Sequence, residues 1–134
     1  MSAQNSEDSR IRTGGCLCEG VRYRTMGVLR NVINCFCSQC QKTSGHHFAA
    51  TSCSLDRFEL LDDSTLDWYE ASSEASRGFC NRCGSSLFWQ RNGADSISIT
   101  AGTLDRPTGL KTVSNIFVED MSDYHDLPAL GDSD

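Results

Sequence analysis

Cys80-Asn81-Arg82-Cys83-Gly84 reads as a zinc knuckle, with two cysteines aimed at one point and a glycine that lets backbone amides turn toward the sulfurs. Its natural complement lies far upstream, in Cys16-Leu17-Cys18. Between the two stands Cys35-Phe36-Cys37-Ser38-Gln39-Cys40, so seven of the eight cysteines divide as two, three and two. Two plus two completes a four-thiolate shell, the usual arrangement for structural zinc. The remaining three make an incomplete tetrahedron, which leaves one position for water or substrate. A metal joining Cys16 and Cys18 to Cys80 and Cys83 closes a long loop and contributes directly to folding. The bland alternative is two unrelated pairs of buried free cysteines, and the chemical one is iron in a rubredoxin-like shell.

The composition bounds the rest. At 134 residues the chain suits one domain, and 38% hydrophobic residues make a thin core that metal cross-links would help. No run approaches the ~20 apolar residues of a membrane span. Residues 1–12 are polar, without the apolar stretch of a secretory signal, and are expected to form a disordered leader. The domain is expected over residues 13–128, with an acidic tail at 129–134 that frays. A cytoplasmic location follows from this reading, and reducing cytosol favours metal binding over a disulfide framework. The net charge is −6, thiolates would deepen it, and the basic residues are scattered. Such a chain repels a phosphate backbone, so no nucleic-acid partner is expected.

The chain between the clusters reads as short strands. Gly20 to Thr25, Val28 to Cys35, Phe48 to Thr51, Phe58 to Leu61, Leu66 to Glu70, Ser86 to Gln90 and Val113 to Val118 are all candidates. Ser96-Ile97-Ser98-Ile99-Thr100 alternates strictly and is the clearest of them. Gln41 to His47 reads as a loop or one helical turn, and no segment keeps a helical apolar period beyond two turns. The expectation is a mainly β chain of short strands. Their exposed edges leave room for a homodimer.

Three thiolates on Zn²⁺ leave a net charge of −1, which makes a poor Lewis acid. Such a centre suits the capture of a soft ligand, a substrate thiol, in its reactive thiolate form. The competing reading is a second structural zinc closed by Cys53, His46 or His47. Cys53 is otherwise an ordinary small buried residue. Lys42, Arg77 and Arg82 are near the clusters and could offset thiolate charge or hold a substrate carboxylate, against a plainer role as solvated surface charges.

With these residues in view, the chain resembles the glutathione-dependent formaldehyde-activating enzyme family, which includes centromere-protein-V-like domains. The resemblance is carried by Gly15 to Tyr23, by Cys35 to Gly45, by Ser72-Ser73 with Arg77 to Phe88, and by Ile116 to Asp120 with Leu127-Pro128. It implies structural zinc on Cys16, Cys18, Cys80 and Cys83, and catalytic zinc on Cys35, Cys37 and Cys40. It also implies a β-tent, folded-over short antiparallel sheets cross-linked by zinc, as in small zinc-bound chaperones and B-type methionine-sulfoxide reductases. The implied activity is a carbon–sulfur lyase-type reaction, addition of glutathione's thiol to formaldehyde. The chain departs from the family pattern at Phe36, often histidine there, at His46-His47, which replace a small residue and proline, and at Cys53.

The expectation is thus an enzyme with two Zn²⁺ per chain acting on a thiol and a small carbonyl. Ser44, His46, His47, Ser73 and Arg77 are the candidate helpers for proton relay or substrate binding. A non-catalytic zinc-stabilised binding module is the first alternative. A redox protein pairing Cys53 with a cluster cysteine is the second.

Overall fold

Alternating apolar residues build two sheets that fold over one another. In a computed structural model, which describes residues 10–132, the strands are β1 (Ile11–Gly15), β2 (Arg22–Met26), β3 (Val32–Cys35), β4 (Phe48–Ser54), β5 (Phe58–Asp62), β6 (Leu66–Glu70), β7 (Ala75–Cys80), β8 (Ser86–Arg91), β9 (Ser96–Thr100) and β10 (Thr112–Ile116). One α-helix, α1 (Ser38–Ser44), interrupts them among the described residues. A three-stranded sheet has the order β1-β2-β5, and a seven-stranded sheet the order β10-β3-β4-β9-β8-β7-β6. The chain is mainly β, with short antiparallel sheets. One edge departs from that pattern, because β10 pairs parallel to β3. Among the described residues no helix is long and apolar enough to cross a membrane.

The sheets meet through Tyr23 on β2. Its buried ring lies 5.8 Å from Phe58 and 5.5 Å, edge-on, from Phe88 on the opposite sheet. Such ring pairs add to the area they bury. The Tyr23 hydroxyl shares a 2.7 Å hydrogen bond with Thr103 Oγ1, so its polar end is satisfied. Ile97 and Ile99, the alternating pair on β9, are both buried in this core with Val21, Leu87 and Leu104. The central strand β4 buries both faces. Thr51 and Cys53 turn one way, while Phe48 and Ala50 turn the other, toward α1 and the cysteine triplet.

Two boundaries differ from the sequence reading. Residues 11 and 12, expected within the leader, belong to β1, and the rest of that expectation, residues 1–9, lies outside the described residues. Near the other end, the Gly131 amide donates to Thr112 O at 2.8 Å and holds the expected fraying tail beside β10. Positions 133 and 134 are not among the described residues.

The strand β1 also explains Gly14-Gly15. A Cβ on Gly14 would sit 2.4 Å from the Tyr23 hydroxyl and 2.5 Å from the Thr103 carbonyl oxygen. Gly14→Ala is therefore expected to cost about 1–3 kcal/mol by overpacking. Urea unfolding checks this, the expected result being a lower midpoint with an unchanged slope. A wild-type midpoint would mean that the two sheets separate easily.

Candidate metal centres and active site

The thiols gather into two groups. The Sγ atoms of Cys16, Cys18, Cys80 and Cys83 lie within 4.8 Å of one another, as do those of Cys35, Cys37 and Cys40. Cys16 and Cys18 follow β1, Cys80 ends β7, and Cys83 lies in the turn beyond it. Gly84 completes that turn with φ 82°, and its amide donates to Cys80 O at 2.9 Å. A side chain would resist that left-handed backbone.

Donors surround the first group. The amides of Arg82 and Cys83 point at Cys80 Sγ, each at 3.3 Å, and the Val21 amide points at Cys16 Sγ at 3.3 Å. Arg82 Nε donates to Cys18 Sγ at 3.2 Å. These donors favour thiolates. The Ser85 hydroxyl and amide hold Cys83 down to about 5. Burial pushes Cys80 up, but the Thr65 hydroxyl and the amides of Cys83 and Arg82 outweigh it and bring it to about 7. Four convergent sulfurs ringed by N–H donors fit a tetrahedral metal such as zinc.

The second group is built at a strand-to-helix junction. Cys35 ends β3, Cys37 caps α1, and Cys40 sits buried in its first turn. Cys37 Sγ accepts the Cys40 amide at 3.3 Å. The helix thus begins inside the cysteine motif, earlier than the sequence reading placed a turn. Arg77 crosses from β7 and donates to Cys40 Sγ at 3.3 Å and to Gln39 Oε1 at 2.9 Å. Its guanidinium lies 5.1 Å from the centre of the Phe48 ring. Without a metal, a hydrogen bond between Cys40 and Cys35 lowers the Cys35 thiol and raises that of Cys40, which burial raises further. Three converging sulfurs fit a metal with one open position.

A cavity of about 530 Å³ opens on this triplet. Ile33, Phe48, Ala50, Trp89, Ile116 and Phe117 give it apolar walls, and Arg30, Glu74 and Arg91 bring charge to it. Phe117 has a left-handed backbone at φ 56°, unusual for a bulky residue and the kind of strain that gathers at functional sites.

The other sequence candidates stand elsewhere. Among the described residues no histidine, carboxylate or fourth cysteine joins the triplet. Cys53 belongs to the main core, where burial pushes its thiol up to about 11. His46 packs against His47, His125 and Tyr124, and His47 lies 5.0 Å from Phe36. Burial, then His46 and His125, lowers the pKa of His47. The Ser44 hydroxyl donates to Cys40 O at 2.7 Å, a bond at the helix end. Ser73 does not line the cavity; its neighbour Ser72 does. Arg77 is the one candidate helper among the lining residues. Lys42 is exposed on α1. Sequence reasoning passed over Arg30, Gln39, Trp89 and Phe117. Gln39 and Phe117 stood inside quoted motifs without a role attached, whereas no motif singled out Arg30 or Trp89.

A folded-over pair of β-sheets, with one four-thiol group and one three-thiol group facing a cavity, defines a class of cysteine-clustered β-fold proteins. The profile of the glutathione-dependent formaldehyde-activating enzyme family matches residues 11–120, and the chain belongs to that family. It is similar to an uncharacterized lyase of Schizosaccharomyces pombe, 25% identical over 115 residues, covering 85% of this chain and 83% of the relative. A solved structure of a Rhodobacter sphaeroides protein shares the fold, with a TM-score of 0.62 at 23% identity over 77% of this chain and 98% of that one. These relationships place the chain in a formaldehyde-activating, lyase-type family.

Proposed function

We propose that this chain is a zinc-dependent carbon–sulfur lyase-type enzyme that joins a substrate thiol to a small carbonyl compound. Glutathione and formaldehyde, the pair named by the family, are the first substrates to test. Cys16, Cys18, Cys80 and Cys83 would hold a structural Zn²⁺, and Cys35, Cys37 and Cys40 a second, catalytic one. When bound there, the second ion supplies acidification of a thiol at neutral pH. One observation carries the reading: three sulfurs converge at the wall of a cavity with no fourth ligand among the described residues.

The protein's own groups then do three things. The apolar walls exclude water from the reacting sulfur. Cys40 is held at a fixed distance by the rigid start of α1 and by Arg77. Holding thiolate and carbonyl together supplies most of the acceleration, since both already react in water. Sulfur attacks the carbonyl carbon, a C–S bond forms, the C=O π bond breaks, and the oxygen takes a proton from water. The proton lost by the thiol leaves to solvent. Eight unpaired cysteines fit a reducing, cytoplasmic setting. The single unit that begins with β1 is proposed to carry the activity.

The test is exchange between isotope-labelled formaldehyde and glutathione, followed by NMR with zinc-loaded protein against a protein-free control. The expected result is exchange that accelerates in proportion to protein. No acceleration sinks this substrate pair and leaves the fold and thiol groups standing.

A further inference from the structure

Arg77 is buried, with a relative exposure of 7%, in a chain whose arginines are mostly at the surface. A guanidinium stays charged throughout any working pH, and a buried charge needs a partner. Among the described residues no carboxylate forms an ion pair with it. What it has instead is Cys40 Sγ at 3.3 Å, Gln39 Oε1 at 2.9 Å and the face of Phe48. Gln39 is itself fixed, donating through Nε2 to Ala71 O at 3.3 Å. The cation is thus locked in plane and aimed at one sulfur of the triplet.

We infer that Arg77 is the built-in counter-charge of the three-thiolate centre, and that it selects an anionic fourth ligand, a thiolate, over a neutral one. The inference rests on the open-centre reading proposed above. Three thiolates on a divalent ion carry −1, and a fourth makes −2, which a site with apolar walls and a buried cysteine resists. A guanidinium in hydrogen-bond contact returns the assembly to −1. Its bond to Cys40 also draws electron density from that ligand, the usual effect of an outer partner. Arg77 acts through Cys40 and is in this sense a positioning residue. A neutral ligand adds no charge, so it gains much less from the same cation.

Cobalt substitution makes this measurable without turnover. The full chain loaded with Co²⁺ is titrated with 2-mercaptoethanol and, separately, with imidazole, while the thiolate-to-cobalt absorption is followed. The four-cysteine group has no vacant position and stays spectrally constant. In R77M, half-saturation with 2-mercaptoethanol is expected to need about 10- to 100-fold more thiol, the usual cost of losing an outer partner. Imidazole affinity is expected to hold or rise, and R77K is expected to recover most of the thiol affinity. Should R77M fail to retain cobalt, R77Q against R77K carries the comparison. Equal thiol affinity in the wild type and the neutral variant overturns the inference, as does a parallel loss for both probes. A wild-type centre that accepts neither probe sinks this inference and the open-centre reading together.

Discussion

Cys80→Ser leaves the chain unfolded at neutral pH and 25 °C: that is the expected result of removing one sulfur from the four-thiol group. Cys80 is fully buried, at 0% exposure, at the seam where the end of β7 meets the loop after β1. Three donors, from Thr65, Arg82 and Cys83, already point at its sulfur. A structural zinc site contributes about 10–16 kcal/mol in small domains. The whole stability of an ordinary domain is only about 5–15 kcal/mol. Losing the proposed zinc would therefore remove an amount comparable to everything that holds the fold. Far-ultraviolet circular dichroism and amide NMR dispersion read the outcome, and chelation of the wild-type protein should reproduce it. A C80S protein that melts cooperatively near the wild-type temperature would show that sheet packing alone suffices.

Cys37→Ser is expected to do the opposite, keeping the fold and losing the activity. Cys37 stands at the N-cap of α1, where its sulfur accepts the Cys40 amide. Serine is among the best residues for that position, since its hydroxyl oxygen accepts the same bond. Stability should change by no more than about 1 kcal/mol, within the range of cap substitutions. The triplet, however, falls to two sulfurs. Losing an outer partner of a metal costs about 10- to 100-fold, so losing a ligand should reduce formaldehyde–glutathione exchange by more than that. The paired measurements are thermal unfolding and the NMR exchange assay. Global unfolding of C37S would assign the triplet a structural role, and full activity would remove it from the chemistry.

The contrast between these variants reflects what could be read in the chain. The thiol groups were legible because Cys-x-Cys and Cys-x-x-Cys spacings fix local geometry whatever surrounds them. The alternation of Ser96 to Thr100 gave β9 its bounds without adjustment. β1 was not legible, since Gly14-Gly15 looks like a break until Tyr23 is seen filling the space above it. The start of α1 was hidden for another reason. A seven-residue helix capped by a metal-type cysteine shows no apolar stripe, and only Cys40 is buried. The cavity was beyond reach because Arg30, Trp89 and Phe117 arrive from three remote segments. The cavity wall carries Ser72 and not the expected Ser73, a matter of how a tight turn directs adjacent side chains. Ser72 accepts the amides of Glu74 and Ala75, which ties it to the turn before β7.

The parallel pairing of β10 with β3 has a consequence for the order in which the molecule is made. Cys35, Cys37 and Cys40 leave the ribosome early and together, while Ile116 and Phe117, which wall the cavity beside them, are still unwritten. At bacterial or eukaryotic synthesis rates the interval is on the order of ten seconds. For that time the nascent chain carries a complete trio of sulfurs without the wall that Ile116 and Phe117 provide, more open to any metal or oxidant it meets. The three-thiol group is thus complete in the growing chain well before the last wall of its cavity can close.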